Sequence, residues 1–179
     1  MDPENFEEVK SNFDSSGELR PAKIAIVGRP NVGKSTIFNR LAGKKLAIVN
    51  DTPGVTRDIR EVRSKLRGHS MVLMDTAGFE NAKGHKIEAK MRAQTELAVL
   101  DADIVLFVYD AREGVTPLDR NFAQYVRRSN KTTFLVANKC ESSAADAGIT
   151  DGYSLGMGDP IEVAAEHNIG FGELDDAVE

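Results

Sequence analysis

The nine residues GRPNVGKST, Gly28–Thr36, follow the short apolar run KIAIV and lead into KSTIFNRLAG, where Ile37, Phe38 and Leu41 recur at helical spacing before a glycine. A buried strand that ends on glycine and turns directly into a helix commits this part of the chain to an α/β unit, with the loop at the strand's carboxyl end. Glycines at 28 and 33 let consecutive backbone N–H groups curl inward. The helix start adds positive potential, so the concavity suits a polyphosphate. The spacing G-x-x-x-x-G-K-S assigns Lys34 to the outer phosphates and the Ser35 hydroxyl to Mg²⁺. Arg29, Pro30, Asn31, Val32 and Thr36 complete the cradle.

The remaining pattern extends this unit into a sheet. REVRSKLRGHSMVLMDTAG alternates apolar and charged residues around Gly68-His69, which predicts a hairpin whose second strand is buried. Ile87, Met91 and Ala98 suit one face of a helix, DIVLFVYD is a buried strand, and TPLDRNFAQYVRRS is a helix opened by Thr116 with Pro117 at its first position. TTFLVANK and PIEVAAEHN supply two further strands, and FGELDDAVE begins a helix that runs to the final residue. Strands separated by helices give a mostly parallel six-stranded sheet with one antiparallel strand and helices on both faces.

Composition narrows the class. At 179 residues the chain suits one domain, and no run approaches the roughly 18 apolar residues of a membrane span. The opening MDPENFEEVKSNFDSSGELR is acidic and polar, unlike an export signal, and we expect residues 1–20 to form an unstructured arm ahead of a domain over 21–179. That arm holds six acids against Lys10 and Arg20, so most of the net charge of −5 lies there and the domain itself is close to neutral. No whole-molecule field favours DNA, and nothing favours a membrane. The lone Cys140 allows no internal disulfide, which points to a reducing compartment, the cytoplasm.

Two more loops carry chemistry. Asp75 ends an apolar strand and leads into Thr76-Ala77-Gly78, a turn on which the carboxylate reaches Mg²⁺ through water and the Gly78 N–H points at a terminal phosphate. After the next strands comes Asn138-Lys139-Cys140-Glu141. A carboxylate facing the ring N–H and exocyclic amine of guanine accepts two hydrogen bonds that adenine does not offer, so this loop selects GTP and GDP.

The ordered set GRPNVGKST, DTPGVTRD, DTAGF, NKCE and AAEHN, with MRAQTE and DAREGVTPLDR between, resembles the translation-factor-related P-loop GTPases, most closely the first GTPase domain of the EngA, or Der, family of bacterial ribosome-assembly factors. The resemblance covers Lys23 to the end. It implies Mg²⁺-dependent hydrolysis of GTP to GDP and phosphate, and, through a longer parent protein, a partner in the large ribosomal subunit or its precursor. It also implies Mg²⁺ ligation by Thr56 together with Ser35 and, through water, Asp75. Contacts to the base from Ala164, Ala165 and Glu166 follow, with the Ala165 N–H on the guanine oxygen.

Three positions depart from the common pattern or speak to mechanism. Glu141 stands where aspartate is usual, one methylene farther out, so the loop must shift to receive it. Ala164 stands where the family has serine. Phe79 follows Gly78 where many small GTPases have a water-orienting glutamine, and phenylalanine makes no such hydrogen bond. In potassium-activated relatives an asparagine at the position of Asn31 ligates K⁺ with switch carbonyls, here Asn50 and Thr52. That ion would act with Lys34, Thr56 and Gly78 in catalysis. Asn31 as a simple loop stabiliser is the competing reading. At the level of function, a regulatory GTP/GDP-binding module with little turnover, or the G domain of another potassium-activated GTPase, remain alternatives. The basic stretch from Arg57 to Arg67 is either a solvated strand face or an RNA contact, His69, His85 and His167 show no metal-binding spacing, and Cys140 suits packing rather than reactivity.

Overall fold

The computed structural model describes residues 20–43, 47–48, 59–76 and 86–179. In chain order the elements are β1 (Ala22–Val27), α1 (Lys34–Ala42), β2 (Ala47–Ile48), β3 (Arg60–Leu66), β4 (His69–Asp75) and α2 (Lys86–Asp101). They continue with β5 (Ile104–Asp110), α3 (Pro117–Arg128), β6 (Thr132–Asn138), α4 (Asp146–Gly152), β7 (Ile161–Val163) and α5 (Phe171–Val178). Among the described residues one sheet takes all the strands, in the order β2-β3-β4-β1-β5-β6-β7.

The six strands expected from the sequence are present, and the two-residue β2 adds a seventh at the edge. It is too short to show any alternation in the sequence. β4, β1, β5, β6 and β7 pair in parallel, β3 runs antiparallel to β4, and β2 is antiparallel to β3. β3 is therefore the one strand opposed to the rest. The hairpin between β3 and β4 turns at Arg67-Gly68, one residue before the expected Gly68-His69. Both residues have positive φ, 46° and 96°, as a two-residue type I′ turn requires.

Alternation along the central strands feeds two cores. Ala25 and Val27 of β1 pack with Val105, Phe107 and Tyr109 of β5 beneath Ala98 and Val99 of α2 and Phe122 and Val126 of α3. Ile24 and Ile26 face the other way, with Leu106, Val108 and Leu73, against Ile37, Phe38 and Leu41 of α1 and Leu174 of α5. Burying both faces of β1 is what a near-continuous apolar strand predicts for a parallel sheet.

Helix α3 starts as its sequence indicates. Thr116 is the N-cap, Pro117 occupies the first turn, and a reciprocal capping box links the Thr116 side chain to the Asp119 N–H and the Asp119 carboxylate to the Thr116 N–H. The Ile87 side chain lies outside the described residues, as do residues 1–19. Arg20, at the expected boundary, donates two hydrogen bonds to Asp103, at 2.6 and 3.0 Å. Among the described residues no helix is long and apolar enough to cross a membrane.

Candidate functional site

The loops after β1, β4, β6 and β7 all open at the carboxyl ends of parallel strands, on either side of the central β1, where α/β sheets hold their ligands. In the first of them Gly28 has φ 149°, and a Cβ there would stand 2.2 Å from the Val108 carbonyl oxygen. Gly33 has φ 98°, and a Cβ would meet Asn138 Nδ2 at 2.2 Å. Asn31 between them also adopts positive φ, 64°. The two glycines are thus fixed by conformation and by crowding together.

Gly33 caps α1 without a side-chain hydrogen bond, and the first turn carries no acidic residue. The contrast with α3, whose start is filled by Thr116 and Asp119, is informative: α1 begins with its positive end available to an external anion. Lys34 is 3% exposed, and its Nζ donates to the Arg29 carbonyl at 2.8 Å, folding the ammonium back over the loop.

Across the loop the Ser35 hydroxyl donates to Asp75 Oδ2 at 3.1 Å, and the Thr76 hydroxyl donates to the Ile26 carbonyl at 3.0 Å. The parallel register that sets Ile26 beside Asp75 brings these two loops together. A serine hydroxyl next to a buried carboxylate is a hard-oxygen donor set of the kind Mg²⁺ takes. Among the described residues no cluster of three or more His, Cys, Asp or Glu side chains is able to hold a metal alone. Mg²⁺ needs few protein donors, because it commonly keeps several waters and binds substrate phosphates.

The base loop is tied to the phosphate loop by Asn138. Its Nδ2 donates to the Val32 carbonyl at 2.7 Å, and its Oδ1 accepts from the Ala165 N–H at 3.1 Å. Lys139 takes φ 70° and donates from Nζ to the Asn31 carbonyl at 2.9 Å and to Asp110 Oδ2 at 2.5 Å. Burial pushes the Asp110 carboxyl up, but the Lys139 bond and charge and the N–H groups of Arg112 and Glu113 outweigh it and hold the group below its ordinary value. Cys140 is used for packing: its N–H donates to the Val163 carbonyl, its Sγ donates to the Ala137 carbonyl at 3.3 Å, and burial pushes the thiol up to about 11. Glu141 lies at the rim with its side chain 30% exposed. Ala164 is buried and exchanges hydrogen bonds with Ile169, which closes the turn carrying Ala165 and Glu166.

The Ala165 N–H, assigned to the guanine oxygen from the resemblance, thus serves Asn138 in this structure. Thr56, Ala77, Gly78, Phe79 and the carbonyl donors Asn50 and Thr52 lie outside the described residues. So does His85; His69 and His167 are exposed.

Three contributors were missed by sequence reading. Arg40, in the last turn of α1, donates from Nε to the Ala165 carbonyl at 3.1 Å and from Nη2 to the Glu166 carbonyl at 2.9 Å. It straps the base turn to the helix that begins at the phosphate loop. Asp119, fully buried, accepts from Arg29 Nε at 3.2 Å, while Arg29 also pairs with Glu113. Asp110 anchors Lys139. Helical spacing from Lys34 could have flagged Arg40 as a residue on α1, but nothing local in the sequence pairs it with residues 125 positions away.

A glycine loop opening a helix, a serine beside a buried carboxylate and an Asn-Lys-x-Glu loop, joined on a parallel sheet, match the G domain of a P-loop GTPase. The chain belongs to the 50S ribosome-binding GTPase family, whose model matches residues 23–139. It is 56% identical over 156 residues to GTPase Der of Parvibaculum lavamentivorans, a match spanning 87% of this chain and 33% of that protein. To GTPase Der of Hyphomonas neptunium it is 52% identical, over 88% of this chain and 31% of that one. The chain therefore spans about a third of the length of the curated relatives it matches. Among solved structures it resembles Era in complex with MgGDPNP and a segment of 16S ribosomal RNA, with a TM-score of 0.70 and 26% identity, covering 90% of this chain and 56% of that one. A variant of Aquifex aeolicus Era bound to GDP and aluminium fluoride gives a TM-score of 0.67, also at 26% identity, covering 89% of this chain and 56% of that one.

Proposed function

We propose that this domain binds GTP with Mg²⁺ and hydrolyses it to GDP and phosphate, as the first GTPase domain of a Der-type factor that acts on the large ribosomal subunit or its precursor in the cytoplasm. The observation that supports this best is the Asn138 junction, which makes the phosphate loop and the base turn one piece across which a single nucleotide would lie. The Era relatives carrying GDP with aluminium fluoride and MgGDPNP support the same class of ligand.

Phosphoryl transfer rests on positioning and charge stabilisation, and the residues divide accordingly. The α1 start and Lys34 neutralise the phosphate oxygens as charge shifts toward the leaving group. Ser35, Thr56 and, through water, Asp75 would hold Mg²⁺, which when bound would supply a divalent positive charge to offset charge on the phosphates. The Gly78 N–H orients the terminal phosphate, and the Thr56 carbonyl helps hold the attacking water. Phe79 offers no hydrogen bond to that water, so we assign additional charge stabilisation to K⁺, which Asn31 and the carbonyls of Asn50 and Thr52 would hold. The left-handed backbone of Asn31, pinned by Lys139 on its carbonyl, supports a fixed role for this residue.

Exchanging KCl for NaCl at constant ionic strength is expected to depress single-turnover hydrolysis far more than GTP affinity, because charge stabilisation of the reacting phosphate would act mainly on the transition state. Matching ionic strength excludes general screening. Asn31→Ala is expected to lose most of the K⁺ response and to retain Mg²⁺-dependent binding. Equal rates in the two salts would refute the potassium assignment.

A further inference from the structure

Glu141 raises a problem that the base loop alone does not solve. A glutamate has one more rotatable bond than the usual aspartate, and a side chain free to sample rotamers reads a base poorly. The structure supplies a restraint from a different loop. Glu141 Oε1 lies 3.5 Å from Arg112 Nη1. Arg112 follows β5, and the pairing of β5 with β6 sets Asp110 directly beside Asn138, so the turn after β5 borders the base loop.

Arg112 is itself held. Its N–H donates to Asp110 Oδ1 at 2.9 Å, and its Nε stands 3.9 Å from the same oxygen. The other Asp110 oxygen accepts from Lys139, which in turn reaches the Asn31 carbonyl. A continuous series of contacts therefore runs from the phosphate loop through Lys139, Asp110 and Arg112 to the Glu141 carboxylate.

We propose that Arg112 is a specificity-determining positioning residue, which fixes the longer Glu141 carboxylate so that it reads the N1–H and 2-amino group of guanine. The inference rests on the guanine reading given above and deepens it. A carboxylate has about four lone-pair sites, so an arginine at one oxygen leaves both oxygens able to accept from the base. At 3.5 Å the contact orients the carboxylate without a short hydrogen bond that would compete with guanine. An aspartate at the same position would be drawn back by one methylene, out of Arg112's reach, and would not need it.

Calorimetric titration of the 179-residue chain with GDP and with IDP, which differ only in the 2-amino group, tests this in Mg²⁺ buffer. Glu141→Ala is expected to abolish the preference for GDP. Arg112→Ala is expected to lower the GDP-to-IDP affinity ratio about threefold to fivefold, as for loss of a partly exposed ion pair, with IDP affinity, which keeps only the N1–H contact, falling less than GDP affinity and the unfolding midpoint little changed. Arg112→Lys should restore part of the ratio. In a Glu141→Asp background, Arg112→Ala should leave the ratio as it was. A ratio insensitive to Arg112→Ala but abolished by Glu141→Ala would overturn the positioning role and leave the guanine reading standing. Equal losses of GDP and IDP affinity would also overturn it, by assigning Arg112 a structural role. A ratio insensitive to Glu141→Ala would remove the carboxylate as reader and the proposal with it.

Discussion

Asn138→Ala is expected to lower the stability of the nucleotide-free domain by about 2–4 kcal/mol and to weaken GTP binding as well. Asn138 is 2% exposed and serves two backbone groups from different loops, the Val32 carbonyl and the Ala165 N–H. Alanine supplies neither a donor nor an acceptor, and each group left unmet in a buried site costs about 1–3 kcal/mol. For a domain of this size that corresponds to a fall in the unfolding midpoint of roughly 5–15 °C. The comparison must be made without nucleotide, since a bound nucleotide stabilises by mass action and would add its own loss to the reading. Asn138→Asp is the sharper variant: it keeps an acceptor for Ala165 but sets a carboxylate against the Val32 carbonyl. An unchanged midpoint for both variants would mean that the two loops are held together elsewhere.

Lys34→Ala is expected to act on chemistry rather than on the joining of loops, reducing single-turnover hydrolysis by about 100- to 1000-fold, the scale seen when one preorganised stabiliser of transition-state charge is removed. The ammonium is nearly fully buried and folded onto the Arg29 carbonyl, close to the start of α1. A charge already in place costs little reorganisation when the phosphate oxygens gain charge. Circular dichroism of the variant should remain native-like, and hydrolysis within a few-fold of the parent would remove Lys34 from the catalytic set.

These two residues show why the sequence was readable to different depths. Lys34 was legible because its function is local: the glycine spacing, the preceding strand and the following helix all lie within about twenty residues. The double role of Asn138 was not, because its partners sit 106 and 27 positions away and meet it only once β1, β6 and β7 are aligned. The same holds for Arg40, which reaches across 125 positions to the base turn. Strands were read well where burial on both faces produced unbroken apolar runs, as in β5 and β6.

Helix α4, Asp146–Gly152, is absent from the elements expected from the sequence, and the cause is local. DAGITDG contains two glycines, each costing about 1 kcal/mol relative to alanine in a helix, and shows no amphipathic repeat. Tertiary contact overrides that weakness. The buried Tyr109 hydroxyl donates to the Gly148 carbonyl at 3.1 Å, and Gly148 packs so closely on the Ala111 carbonyl that no Cβ fits. Glycine here is a packing requirement, and propensity reads it as a helix breaker.

The capped α3 and the uncapped α1 make the complementary case. The Thr-Pro-x-Asp start of α3 is a local signal, and the structure bears it out as a capping box. At α1 the signal is the lack of a capping side chain combined with Gly33 and Lys34. The sequence indicates an anion there, and the structure leaves the helix start uncapped by any side chain.

The account's central claim is that these loops form a guanine-selective, Mg²⁺-dependent hydrolytic site, and single-turnover release of phosphate from GTP measures it most directly. With saturating Mg²⁺ and K⁺, the domain is expected to release phosphate from GTP well above the buffer rate, to lose that activity when Mg²⁺ is chelated, and to leave ATP untouched under the same conditions. Phosphate release from GTP no faster than in buffer, or equal release from ATP, would contradict it.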